Sequence, residues 1–148
     1  MKRIEASAFR ARLIETFLDF QSKERLSYYR NRILTTRVED GKTVYDGYLW
    51  ECLKYPIVHS EARCRSFLKN REKGFFCLAD LHSGPGSFPE PYDGAIAFES
   101  YDEFAATESS LPEDLYLFDE SLLWLVVLTH EDIDGRRHCI LIEDVRSL

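Results

Sequence analysis

Between Gly74 and Gly135 the chain has no lysine and no arginine, while the same sixty-two residues carry fourteen acids. The first 73 residues hold sixteen bases against ten acids, and the last thirteen hold three against two. The net charge of −7 therefore conceals a basic half and an acidic half. Charge divided in this way either neutralises itself across the fold or presents an acidic face to a basic partner. The overall acidity argues against nucleic acid as that partner.

Other absences narrow the field further. No apolar run approaches the roughly 18 residues of a membrane span; the strongest, Leu122 to Leu128, is far shorter. Met1-Lys-Arg-Ile-Glu-Ala lacks the apolar core of a secretory signal. The expectation is a cytoplasmic protein with no membrane contact. Cys52, Cys64, Cys77 and Cys139 form no C-x-x-C pair. They read as buried small apolar side chains, with neither a disulfide nor a zinc site. There is no G-x-S-x-G, S-x-x-K or H-E-x-x-H, and no phosphate loop ending in G-K-[ST]. No catalytic residue, metal or cofactor is assigned.

What is present is a globular composition, 45% hydrophobic and 14% aromatic. One α+β domain over 1–148 is expected, long enough to bury roughly two thirds of its unfolded surface. Phe9, Leu13, Phe17 and Phe20 recur at helical spacing and predict a helix over 5–20. Ser22 is placed to cap a second helix to about Ile33, Ser60 a third to about Asn70, and Ser100-Tyr-Asp-Glu103 a short fourth as a capping box. Strands are expected at Thr43–Tyr45, Tyr48–Leu53, Gly74–Leu81 and Ala95–Phe98. The long loop 82–94, rich in Gly and Pro, has no regular structure to offer.

The last third organises the rest. Asp114–Asp119 alternates as a strand, Leu122–Glu131 is the most apolar run, and Asp134-Gly135 signals a two-residue turn before His138–Glu143. This predicts a three-strand antiparallel meander at the centre of a mainly antiparallel sheet of five to six strands, with about four helices. Both faces of the hairpin are apolar, so both should be covered. Continuous pairing from the turn sets Glu131 opposite His138 and His130 opposite Cys139. The first pair is an ordinary cross-strand contact; the second supplies two of the four ligands that structural zinc needs. Trp124, Leu128, Ile140, Leu141 and Phe76 are the expected core.

Asp119, Trp124 and Thr129-His-Glu131 form a D-x4-W-x4-T-H-E pattern. It resembles the terminal hairpin of small bacterial cytosolic proteins of unknown function, over roughly Tyr48 to Ile142. The layout is similar to that of immunity proteins from bacterial toxin systems. The resemblance implies a non-enzymatic antidote that blocks a cognate toxin by direct protein contact. A toxin with a basic surface would meet Glu99, Asp102, Glu103, Glu108, Glu113, Asp114, Asp119 and Glu120, which crowd into 22 residues. Two other functions stay open. One is an enzyme with an atypical site around His82 and the 82–94 loop. The other is a nucleic-acid adaptor using Lys23, Arg25, Arg30 and Arg32 beside Tyr28 and Tyr29.

Overall fold

The computed structural model describes residues 1–83 and 87–148. Gly84, Pro85 and Gly86, in the 82–94 loop, lie outside the described residues. The elements in chain order are β1 (Lys2–Arg3), α1 (Ala6–Phe17), α2 (Lys23–Tyr28), β2 (Thr36–Glu39), β3 (Lys42–Tyr45), β4 (Val58–His59), α3 (Glu61–Lys69), β5 (Phe75–Ala79), β6 (Ala95–Phe98), α4 (Tyr101–Thr107), β7 (Leu115–Phe118), β8 (Leu125–Ile133) and β9 (Arg136–Ile142). Strands β1-β6-β5-β7-β8-β9-β4 form one antiparallel sheet, with β7 at its middle. β2 and β3 make a separate hairpin. The α+β class and the central meander are as expected. The sheet is wider than five or six strands because the two-residue edges β1 and β4 are too short to leave a period in the sequence.

The helices start where their caps require. Ser22, Ser60 and Ser100 each accept from the backbone N–H three residues on, at 3.1–3.2 Å, satisfying a donor the helix cannot. α1 closes at Phe17 rather than Phe20, because Leu18 leaves the helix to bridge Leu53. Phe20 is consequently exposed. Helix α2 widens into a π-turn over Tyr29–Ile33.

The sheet is the middle layer of three. Cys64, Phe67 and Leu68 of α3 and Phe104 of α4 pack on Phe75, Leu117, Trp124, Val126, Leu128 and Leu141. Leu13 and Phe17 of α1, with Leu49 and Leu53, pack on Leu78, Tyr116, Phe118, Leu125, Val127 and Ile140. Leu125 through Leu128 are all fully buried, and each such side chain is worth about 1.5–3 kcal/mol of hydrophobic transfer. All four cysteines are buried. Burial pushes the Cys52 thiol up to about 12 and raises that of Cys77 as well, which removes both from nucleophilic chemistry. The expected core holds, except that Phe76 is only half-buried, edge-on to Phe9 at 4.4 Å.

Two local expectations fail. Tyr48–Leu53 is not a strand: Leu49–Cys52 is a 3-10 turn. Its buried residues, Leu49, Trp50, Cys52 and Leu53, do not alternate, and its amides are claimed by side chains. Leu49 N–H donates to Asp80 at 3.0 Å and Trp50 N–H to the Tyr116 hydroxyl at 2.9 Å. The β8–β9 register also departs from continuous pairing. Asp134 and Gly135 turn with positive φ (54° and 75°) and Ile133 faces Arg136, as the turn type demands. Then the ladder breaks: Asp132 faces Arg137, but Leu128 faces Cys139. Thr129, His130 and Glu131 thus oppose His138 alone, a bulge with two extra residues. Glu131 does not pair with His138, and His130 does not lie beside Cys139. A slip of two leaves every side chain on its original face, so the apolar faces survive the error.

Candidate functional site

The sheet's registers assemble a polar ledge at one end. Ala79 faces Leu115, Leu115 faces Leu128 and Leu128 faces Cys139. This row of buried apolar residues crosses four strands. One step beyond it come Asp80, Asp114, the Thr129–Glu131 bulge and His138. Strand alternation turns Asp80, Asp114 and His138 toward the α1 side, where the turn at Tyr48–Glu51 meets them.

The bulge is tied down. Thr129 Oγ1 donates to His138 O at 2.6 Å and accepts from Glu131 N–H at 3.2 Å, while Arg137 Nε donates to Thr129 O at 2.8 Å. His130 is thrown outward onto Asp114. Its backbone N–H donates to Oδ1 at 3.1 Å, and Nδ1 lies 3.0–3.1 Å from both carboxylate oxygens. A carboxylate on Nδ1 orients the ring and leaves Nε2 outward. Tyr48 carries His82 at 4.4 Å, His130 at 4.9 Å and Trp50 at 5.5 Å, and Trp50 meets His138 at 5.6 Å. Three imidazoles, a phenol and an indole thus form one continuous patch.

Beneath it Asp80 is nearly inaccessible (2%) and accepts from Leu49 N–H, His82 N–H and the Tyr116 hydroxyl. Burial raises the Asp80 carboxyl and the Tyr116 phenol. Burial, reinforced by Asp114 and Asp80, pushes Tyr48 up to about 12. Glu51 is raised by burial and by neighbouring Glu131. His130 is raised above its ordinary 6.5, chiefly by its hydrogen bond to Asp114. Because the folded value exceeds the unfolded one, this contact stabilises the fold fully below 6.5 and fades as pH climbs through the folded value. We predict that Asp114→Asn returns the His130 midpoint toward 6.5, read by NMR titration of the imidazole protons. An unchanged midpoint would rule out Asp114 as the cause.

Around His130 lies a depression of about 700 Å³ lined by Glu108, Glu113, Glu131 and Asp132, with Arg65 and Arg137. Arg65 grips Glu108 through both nitrogens at 2.7 and 2.8 Å and also binds Glu61. Arg137 Nη2 donates to Glu113 O at 2.7 Å. Glu113, Glu131 and Asp132 have no ion-pair partner among the described residues.

The eight carboxylates singled out in the sequence do not form one face. Glu108, Glu113 and Asp114 stand at this end. Asp119 and Glu120 follow β7 at the other, roughly 17 Å away at about 3.4 Å per residue. Glu99, Asp102 and Glu103 share that far end, because β6 finishes beside the start of β5. Glu103 is paired with the amino terminus at 2.6 Å, and Asp119 is turned onto Ser121 at 2.5 Å. Asp114 is buried at 7% exposure. Tyr48, Trp50, Glu51, Glu131 and Asp132 were not anticipated as site residues. Glu131 closes the T-H-E triplet, but no local pattern marks the five as one site, since they meet only through sheet register and the bulge.

The fold and site define an α+β protein with a bulged antiparallel sheet between two helical layers and an acidic, imidazole-rich ledge at one sheet end. No helix among the described residues is long and apolar enough to cross a membrane. Comparison with protein-family models, curated proteins and solved structures returns no match.

Proposed function

We propose that this chain is a non-enzymatic, cytoplasmic binding protein of the toxin-immunity kind, and that it receives a basic protein partner at the bulged end of its sheet. The reading rests on one observation. Three carboxylates without ion-pair partners among the described residues, Glu113, Glu131 and Asp132, rim a depression beside an aromatic patch. Aromatic centres with polar rims are the anatomy of protein interfaces, and the unbalanced carboxylates favour a cationic partner. The far-end acids Glu99, Asp102, Glu103, Asp119 and Glu120 contribute long-range field rather than contact.

The test is protection of cells against a toxin encoded beside this chain, followed by association rates at low and high salt. Glu113→Lys with Glu131→Lys and Asp132→Lys should slow association about tenfold or more at low salt, and less at high salt. Reversing Asp102, Asp119 and Glu120 instead should slow it less at low salt, and by less than about twofold at high salt, where screening weakens charges distant from the contact. Folding should tolerate both triples, because Glu113, Asp132, Asp102 and Glu120 are exposed, Glu131 and Asp119 are only partly buried, and none of the six is in an ion pair among the described residues. An unchanged rate in the first triple sinks the proposal.

The Asp114–His130 dyad favours a second reading, an acid–base enzyme working through His130 Nε2. The same assay separates the two. His130→Gln keeps a polar side chain of similar reach and should preserve protection by binding, but abolish protection that depends on proton transfer.

A further inference from the structure

Arg10 carries a guanidinium that is almost unpaired among the described residues. It lines a cavity of about 660 Å³ between the start of α1, β3 and the end of β5. Its Nη2 reaches Ala79 O at 3.5 Å, beyond the ordinary range of a hydrogen bond. Its Nε is shielded from solvent and has no partner among the described residues. A guanidinium offers five donors, and leaving them idle in a partly dry site is costly. Burial lowers the Arg10 pKa, with Asp80 and Asp93 opposing through space. Asp80 makes no hydrogen bond to Arg10; its oxygens take Leu49 N–H, His82 N–H and the Tyr116 hydroxyl instead.

The remaining walls say what fits. Ile4, Leu81 and the Tyr45 ring give the cavity an apolar side. Glu5 and Asp93, both exposed, also line it, together with buried Asp80 and exposed Arg3. Three carboxylates against Arg3 and Arg10 penalise a dianion more than a monoanion. The volume lies within the range of small-molecule sites.

We propose that the Arg10 cavity is a binding site for a monocarboxylate with a short apolar body. The carboxylate takes the fork of Arg10, and the body lies against Ile4, Leu81 and Tyr45. A planar guanidinium matches a carboxylate through two parallel hydrogen bonds. A free organic acid and the carboxyl end of a peptide share this chemistry. The cavity shares only Asp80 with the docking ledge, and the proposal stands whether or not that reading holds.

The experiment titrates the full chain with benzoate, benzamide and phenyl phosphate, followed by thermal shift and by the Arg10 Nε–H resonance. Benzoate should raise the melting temperature and move that resonance, phenyl phosphate should bind more weakly, and benzamide should do neither. A capped alanine tripeptide with a free or an amidated carboxyl end distinguishes the sources. Tighter binding of the free-ended peptide than of benzoate assigns a chain end, and the reverse assigns a free acid. Arg10→Met should weaken benzoate about tenfold or more. Arg10→Lys keeps the charge without the fork and should still weaken binding several-fold, which serves if the methionine variant does not fold. Equal binding of benzamide, tighter binding of phenyl phosphate, or wild-type benzoate affinity in both Arg10 variants would overturn the proposal.

Discussion

Trp124→Ala should lower the unfolding free energy by about 3–5 kcal/mol, the range for truncating a buried large aromatic. Trp124 is 3% exposed and lies at the joint between the sheet and both helices of its layer. Its ring is edge-on to Phe67 at 5.4 Å and to Phe75 at 6.2 Å. Truncation removes both contacts and opens a cavity that the rigid β5 and β8 backbones cannot close. The indole Nε1 has no hydrogen-bond partner among the described residues. Trp124→Phe therefore forfeits volume but no hydrogen bond, and should cost distinctly less. Urea denaturation of the three proteins checks the order. A loss below about 1 kcal/mol in Trp124→Ala would mean that the site collapses freely or that Trp124 is not in the core.

Gly74→Ala should cost about 3 kcal/mol, the upper end for overpacking. A Cβ at this position would stand 2.1 Å from Phe98 O and 2.9 Å from Glu99 Cα. Both are main-chain atoms, so no flexible side chain can swing aside. The only relief is to part β5 from β6 where Phe75 faces Phe98, which also disturbs Phe104 against those two rings at 5.8 and 5.5 Å. Denaturation midpoints, together with amide exchange of Phe75 and Phe76, measure the effect. Fast exchange confined to that end of the sheet is the expected signature. A stability change within about 0.5 kcal/mol, the range of neutral surface changes, would show that the strands separate there without strain.

Both effects act on the half of the molecule that was easiest to read. The meander was legible because Leu125 to Leu128 are apolar without interruption, a pattern that suits a strand covered on both faces. The caps at Ser22, Ser60 and Ser100 were legible because a hydroxyl there satisfies an orphan N–H two or three positions on, a purely local interaction. Asp134-Gly135 was legible for the same reason, since a type I′ turn demands φ > 0 at adjacent residues. Tyr48–Leu53 was misread because its amides bond to Asp80 and Tyr116, 31 and 66 residues away in the chain. No window around Tyr48 contains those partners.

The candidate site divides along the same line. Sequence alone determined that residues 74–135 are acidic and that His130 sits at the end of the strongest strand. It also placed apolar residues on both faces of the hairpin, a result that the two-residue bulge does not disturb. Tertiary structure decided which acids meet. β7 holds Asp114 and Asp119 at opposite ends of the sheet, so nearness in sequence did not become nearness in space. The bulge decided where His130 points, and it forms because Thr129, Arg137 and Asp114 together satisfy the polar groups it frees. Local propensities act within a few residues, whereas the ledge is built by the alignment of five separate segments, and only the registers of the folded sheet specify that alignment.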